Sequence, residues 1–192
     1  MNSFLIVAAM FMTTPLEDGT LIYIEHGRRI VELGTDSIIT HVAIIATDKD
    51  GVNWIYEAAP PRVRRISLSA YYKEITAINE KRTEKERKHM RMWIMKPKVK
   101  FSSTQAKRLS VFLESQVGKR YSILSYLIKH PVKRGCHCAE LVSHAFKRLG
   151  IIFGEKPCEE NPQSVVKQVA KYYKRPVEVC LPANQEVLVT AD

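Results

Sequence analysis

Residues 38–46 form an apolar, β-branched run that only Thr40 and His41 interrupt. A run of this kind predicts a strand that is buried on both faces. The turn-forming residues 48–51 follow it, and residues 53–58 then form a second strand-like segment. The two segments therefore predict an antiparallel β-hairpin.

Strand patterns dominate the first half of the chain and helical patterns the second half. Additional strands are predicted at residues 21–24, 63–68, 93–95, 177–179 and 187–189. Helices are predicted between Ser102 and Gly118, at residues 121–128 and 138–149, and from Asn161 to residue 173. Strands followed by helices predict an α+β fold, with an antiparallel sheet packed against helices. The core between the hairpin and the 138–149 helix is predicted to contain Ile39, Ile45, Leu141, Val142, Ala145 and Leu149.

The composition is typical of one globular domain. Of 192 residues, 45% are apolar and 26% are charged, which excludes a disordered or low-complexity chain. We expect residues 18–192 to form a single domain, preceded by an N-terminal apolar segment at residues 1–17 that is either a signal remnant or the first buried segment. No Lys or Arg precedes the apolar residues 4–12, and no clear cleavage site follows them. A cytoplasmic protein is therefore favoured, with export as the alternative.

The chain carries a formal charge of +10, which favours anionic partners. Residues 81–100 contain nine basic and two acidic residues, a local surplus of +7. This stretch is either a solvated connector or a surface that contacts a membrane or an anionic substrate. Its only aromatic residue is Trp93, so nucleic acid is not expected as a partner.

Three residues that are far apart in the sequence are candidates for catalysis. Cys138 begins the predicted 138–149 helix, where the N–H groups and the dipole of the helix N-terminus would stabilise a thiolate nucleophile. A core cysteine is the alternative, because Cys138 also lies on the apolar stripe of this helix. His41 and Glu57 lie within the predicted strands, where an imidazole or a carboxylate needs a partner.

The register of the hairpin decides whether His41 and Glu57 meet. Pairing of Ala46 with Val52 gives residue numbers that sum to 98 and places His41 directly opposite Glu57. Pairing of Thr47 with Val52 gives a sum of 99 and places them on opposite faces of the sheet. We predict the first register, in which Glu57 orients one ring nitrogen of His41 while the other faces a nucleophile, as in a catalytic triad.

The residues around these three positions resemble a known family. His41 lies in Thr-His-Val-Ala-Ile-Ile, Glu57 lies in Ile-Tyr-Glu-Ala, and Cys138 begins Cys-Ala-Glu-Leu-Val. This order resembles the YiiX-type permuted papain-like hydrolases of the NlpC-like superfamily, which have poxviral and lecithin retinol acyltransferase relatives. Three further segments are similar and extend the resemblance over residues 18–170: Asp-Gly-Thr-Leu-Ile at 18–22, Arg-Arg-Ile-Ser-Leu at 64–68 and Gly-Lys-Arg-Tyr at 118–121.

The resemblance implies a permuted papain-like fold and a cysteine hydrolase or acyltransferase. Cys138 would be the nucleophile, His41 the base and Glu57 the orienting acid, and we expect the Cys138 sulfur within about 4 Å of a His41 ring nitrogen. An amide or ester of a small-molecule, peptide or lipid-like acyl substrate would be cleaved through a thioester, without a cofactor. Ala139 and Ser122 replace a Ser and an Asp that are usual in the family, so the substrate contacts are expected to differ.

Other classes of function remain open. A non-catalytic basic module on the same fold would bind anionic lipid or a cell-wall polymer. A metal site could use Cys136, His137 and Cys138, but three consecutive ligands match no common zinc spacing, and no metal is expected. We expect His137 at the rim of the pocket. Three tyrosines are candidate pocket groups, namely Tyr23, Tyr56 and Tyr121.

Overall fold

A computed structural model describes residues 16–82, 88–131, 135–151 and 156–179. The predicted N-terminal apolar segment falls outside the described residues except for 16 and 17, as does the strand predicted at 187–189. Residues 83–87 of the basic stretch also lie outside them. No helix in the described ranges is both long enough and apolar enough to cross a membrane.

The described residues form a sheet of eight strands in the order β7-β6-β4-β3-β2-β1-β5-β8. Neighbouring strands are antiparallel except β6 and β7, which are parallel. The strands are β1 (Leu21–Glu25), β2 (Ile39–Thr47), β3 (Asn53–Ala59), β4 (Arg62–Ile66), β5 (Arg91–Met95), β6 (Arg120–Tyr121), β7 (Gly135–Cys136) and β8 (Val177–Val179).

The β2–β3 hairpin is confirmed, but its predicted register is wrong. Ile44 pairs with Tyr56 and Thr47 pairs with Asn53, so the paired numbers sum to 100 and not to 98. The cause is the turn, in which the Asp48 carboxylate accepts hydrogen bonds from the backbone N–H groups of Asp50 and Val52, each at 2.9 Å. These bonds stabilise a longer loop than the pattern of the two strands alone indicates.

Within the described ranges, six helices accompany the sheet. They are α1 (Arg29–Thr35), α2 (Leu68–Glu80), α3 (Ser103–Gln116), α4 (Leu124–Ile128), α5 (Cys138–Arg148) and α6 (Pro162–Val169), with 3₁₀ turns at Pro157–Glu159 and Ala170–Tyr172.

Two helices were not predicted from the sequence, and two predicted helices are shorter than expected. The helix predicted from Asn161 to residue 173 ends at Val169, where a 3₁₀ turn follows. The predicted strand at 63–68 ends at Ile66 because Ser67 caps α2, its hydroxyl accepting a hydrogen bond from the Ala70 N–H at 3.3 Å. The helix α1 was missed between β1 and β2. The helix predicted at 121–128 begins only at Leu124, because Arg120–Tyr121 pair as β6 with β4 and β7.

Helices cover both faces of the sheet. On one face, α3, α5 and α6 pack against a cluster that includes Leu141, Val142 and Ala145, with Ile39 and Leu149 partly buried beside it. On the other face, Tyr71 and Ile75 of α2 pack against a second cluster. The expectation that Ile45 belongs to the core under the 138–149 helix is wrong, because alternation along β2 turns Ile45 toward the α2 side.

The strand directions bring several chain segments to one end of the sheet, which we call the upper edge. The strands β1, β3, β6 and β7 end there, and β2, β4 and β5 begin there, as their pairings require. The helices α1, α4 and α5 therefore all begin at the upper edge, close to the turn at Pro60–Pro61.

Candidate active site

The three candidate residues meet at the upper edge. Cys138 is the first residue of α5, two positions after β7, and the helix packs against β2 and β3 as predicted. His41 lies near the start of β2, and Glu57 lies near the end of β3. Each of these two strands therefore brings its polar residue to the upper edge, where α5 begins.

His41 and Glu57 form a short hydrogen bond, with His41 Nε2 at 2.6 Å from Glu57 Oε2. Extending the observed register by one residue places Glu57 opposite Ala43, two residues from His41 along β2. Side chains two residues apart on a strand lie on the same face, so the diagonal contact is within reach although the two residues are not directly opposite. The observed register differs from the predicted one by two residues. Because side chains alternate between the faces of a sheet, a shift by two leaves His41 and Glu57 on the same face.

The thiol of Cys138 lies beside the His41 ring, and each of the two groups shifts the pKa of the other. Since Nε2 is occupied by Glu57, Nδ1 is the ring nitrogen left for the sulfur. Burial alone would raise the pKa of the Cys138 thiol, but the charge of His41 and the neighbouring His137 ring outweigh burial and lower the pKa. Burial opposes protonation of His41, yet Cys138 and Glu57 raise its pKa. A thiolate–imidazolium pair is the form that these shifts favour.

The other described cysteines have the opposite tendency. Burial and then the charge of Glu140 raise the pKa of the Cys136 thiol to about 12, and burial also raises the pKa of Cys158. Cys136, Cys138 and Cys158 are all buried and free. Burial therefore does not distinguish them. Lys119 acts on Cys136 and Lys156 on Cys158 without outweighing burial, whereas the two histidines beside Cys138 do outweigh it.

Glu57 is held from its other side by an arginine. Arg64 Nε donates to Glu57 Oε1 at 2.7 Å, and the two terminal nitrogens of Arg64 bind both oxygens of Glu74 at 3.0 and 2.5 Å. Burial would raise the pKa of Glu57, but the hydrogen bond and charge of His41, together with Arg64, hold it well below its usual range. The sequence carried a signal for this contact, because the Pro60–Pro61 turn fixes the β3–β4 register that pairs Glu57 with Arg64.

Two tyrosines border the site. Burial, followed by the charges of Glu57 and Cys138, raises the pKa of Tyr71 well above its usual value. Burial and then Cys138 raise the pKa of Tyr121 to about 12, while Arg28 lowers it. Of the three tyrosines named from the sequence, Tyr121 lies at this site, whereas Tyr23 stacks on Trp93 and Tyr56 donates to Glu114. Tyr71 was missed because it lies on α2, which was not predicted.

His137 is buried and does not lie at the rim, so that expectation is wrong. As the N-cap of α5, its Nδ1 accepts a hydrogen bond from the Glu140 N–H at 3.4 Å, and its Nε2 donates to the Cys158 carbonyl at 3.3 Å. The Glu140 carboxylate, held by Ser125 Oγ at 2.7 Å, completes the cap by accepting from the His137 N–H. A capping side chain folds back over the first helical turn, and this places the His137 ring beside Cys138.

Replacement of Arg64 by Gln is expected to slow alkylation of Cys138 at pH 6 by up to about tenfold, because loss of the Arg64 Nε donor frees the Glu57 carboxylate from its position against His41, and the imidazolium that stabilises the thiolate loses part of its support. Rates of iodoacetamide labelling across pH measure this. Arg64→Lys should restore part of the rate, since lysine keeps the positive charge but lacks the planar guanidinium that binds Glu57 and Glu74 together. The control is Arg65→Gln, whose partners are Glu114 and Asp48. Equal pH profiles for both Gln variants would show that Arg64 has no positioning role.

A cavity beside α5 does not contain the three candidates. It measures about 420 Å³ and is lined by Glu140, His144, Arg148, Pro157 and Cys158, among others. This cavity is therefore not where a substrate would meet Cys138. Within the described ranges, no three His, Cys, Asp or Glu residues are grouped so that they could hold a metal ion.

Comparisons with known proteins agree with this architecture. The family model of the permuted papain-like amidase enzymes, YaeF/YiiX, C92 family, matches residues 15–182. Among solved structures, the chain is similar to the metalloprotein yiiX from Escherichia coli O157:H7, DUF1105, with 17% sequence identity and a TM-score of 0.54. That match covers 73% of this chain and 70% of the other, and it supports the fold alone. No curated protein matches. Because the family model spans most of the chain, the α+β permuted papain-like fold is confirmed, and the chain belongs to the permuted papain-like amidase family of YaeF and YiiX.

Proposed function

We propose that the chain is a cysteine amidase or acyl hydrolase that works through a Cys138–His41–Glu57 triad. The observation that carries the proposal is the position of the Cys138 thiol beside His41, whose Nε2 is held by Glu57 at 2.6 Å. A nucleophile, a base and an orienting carboxylate in this order are the requirements of nucleophilic acyl transfer. The family, whose members are amidases, supplies the reaction class.

In the acylation step, the Cys138 thiolate attacks the carbonyl carbon of an amide or ester. The carbonyl π electrons move to the oxygen, and the C–S bond forms. When the tetrahedral intermediate collapses, the bond to the leaving nitrogen or oxygen breaks, and the His41 imidazolium gives its Nδ1 proton to the leaving group. The Glu140 N–H is taken by the His137 cap, so the N–H groups of Cys138 and Ala139, which precede it in the first turn of α5, would stabilise the oxyanion.

In the second step, neutral His41 takes a proton from a water molecule, which attacks the thioester carbon. The C–S bond then breaks, the acid product leaves, and the thiolate–imidazolium pair is restored. Glu57 accepts from Nε2–H throughout and stabilises each imidazolium state. If an alcohol or amine replaces water, the same residues perform acyl transfer.

Incubation with p-nitrophenyl acetate, followed by intact mass measurement, tests the nucleophile. We expect one acetyl adduct on the wild-type chain and none on Cys138→Ala, because the thioester forms only at the activated thiol. Cys136→Ala and Cys158→Ala are the matched controls and should label like wild type, since burial raises the pKa of both thiols.

The same measurement separates the proposal from a non-catalytic basic module on this fold. Equal adducts on wild type and Cys138→Ala would remove the assignment of the nucleophile and leave the module as the better account. The basic stretch at 81–100 is partly engaged within the fold, because Arg91 binds Glu178 through two nitrogens at 2.7 and 2.6 Å.

A further inference from the structure

Two short helices at the upper edge expose aliphatic side chains. In α1, Ile30 is 70% exposed and Leu33 is 76% exposed, and none of its residues is buried. In α4, Leu127 is 65% exposed, and Leu124 and Ile128 are about half exposed. Single exposed aliphatic residues are ordinary, but several at one place mark a surface that contacts another apolar phase.

The fold places both helices next to the catalytic residues. The helix α1 joins the end of β1 to the start of β2, which carries His41. The helix α4 follows β6, which runs parallel to β7 and so leaves the sheet on the same side as Cys138. Tyr121 lies near both the active site and α1, because Cys138 raises the pKa of its hydroxyl and Arg28, the N-cap of α1, lowers it.

The aliphatic residues are surrounded by cationic side chains. Arg82 donates to the carbonyls of His26 and Gly27 at 2.6 and 2.7 Å, and thereby ties the start of the basic stretch to the residues before α1. Exposed basic residues at this edge are Arg28, Arg29, Arg62, Lys81, Lys88, Arg120 and Lys129. The described carboxylates at this edge are fewer, and several are buried or paired: Glu25 and Glu57 are buried, Glu178 is bound to Arg91, and Glu32 is bound to His26 at 3.0 Å. Asp36 and Glu80 are exposed.

We propose that the upper edge docks onto an anionic lipid bilayer. Exposed aliphatic side chains accompanied by Arg and Lys suit the boundary between lipid headgroups and acyl chains. There, burial of apolar surface and attraction to anionic headgroups both contribute to binding. The edge that offers this combination also carries Cys138, so docking presents the thiol to an acyl group held in the membrane surface. The choice of an acyl substrate in the membrane rests on the proposed function, but the docking itself does not require the thiol.

Sedimentation with vesicles tests the docking in the full chain carrying Cys138→Ala, so that catalysis plays no part. We expect binding to equimolar phosphatidylglycerol and phosphatidylcholine, weaker binding at high salt, and little binding to phosphatidylcholine alone. Leu33→Ser with Leu127→Ser should lower partitioning onto the anionic vesicles by about tenfold or more. Each leucine side chain is transferred from water into the bilayer on binding, and serine lacks that favourable transfer.

The matched control is Val99→Ser with Val111→Ser, which removes two aliphatic residues that are 79% and 63% exposed elsewhere on the surface. This pair should bind vesicles like its parent, and thermal unfolding of both double variants checks the fold. Equal binding by the two double variants, or no binding to anionic vesicles by the parent, would overturn the docking. Failure of acetyl labelling with retained vesicle binding would instead overturn the proposed function alone.

Discussion

At pH 6, His41→Ala is expected to slow iodoacetamide alkylation of Cys138 by about two orders of magnitude. In the wild type, the charge of His41 helps to lower the pKa of the thiol. Thiolate is the reactive form, so a lowered pKa moves the onset of alkylation to lower pH. Without His41 the pKa returns toward about 8.5, and the thiolate fraction at pH 6 falls to about 0.3%. At pH 9.5 the two rates should nearly converge.

The control for this change is His144→Ala, on the same helix as Cys138 but lining the cavity behind it. Its alkylation profile should match that of wild type. His137 also lowers the thiol pKa, so His41→Ala can retain a small part of the shift. A wild-type profile with a midpoint near that of a free thiol, unchanged in His41→Ala, would identify Cys138 as a core residue without catalytic activation.

The parts of the fold and the site that could be predicted are those set by local patterns. The β-branched run of β2 predicts a strand and the apolar stripe of α5 predicts a helix, because the spacing of buried side chains differs between the two kinds of structure. The placement of His41 and Glu57 on one face followed from parity along the strands, and it survived an error of two in the register. The alternation of side chains along a strand therefore predicts which face of the sheet a residue lies on. It does not predict the residue directly opposite, because that depends on the length of the turn.

The parts that could not be predicted depend on polar contacts between distant residues. The Asp48 carboxylate sets the hairpin loop through two backbone hydrogen bonds, which no strand pattern encodes. His137 was expected at a rim because a sequence neighbour of the nucleophile at a helix start would point elsewhere, but its burial depends on partners at Glu140 and Cys158. Tyr71 reaches the site only because Ser67 begins α2 directly after β4. In each case one side chain, not an average property of the segment, decides the geometry.

Glu57→Gln is expected to leave the thiol and the fold in place but to lower hydrolysis of p-nitrophenyl acetate by about three to four orders of magnitude. In the wild type, both Glu57 oxygens accept, one from Arg64 Nε and one from His41 Nε2. A glutamine offers only one acceptor, and its amide donates. If the oxygen remains with Arg64, the amide faces His41 Nε2 and forces the ring proton onto Nδ1, so the nitrogen beside Cys138 can no longer act as a base.

Steady-state nitrophenolate release across pH, together with thermal unfolding, measures this effect and separates it from misfolding. Glu74→Gln is the matched control, since it removes a carboxylate from the same Arg64 but leaves the His41–Glu57 bond intact, and it should lose at most about tenfold. If Glu57→Gln folds normally and hydrolyses the ester within about threefold of wild type, His41 does not need the carboxylate. The triad would then reduce to a Cys138–His41 dyad, because stabilisation of the imidazolium by Glu57 is the only reason to include it.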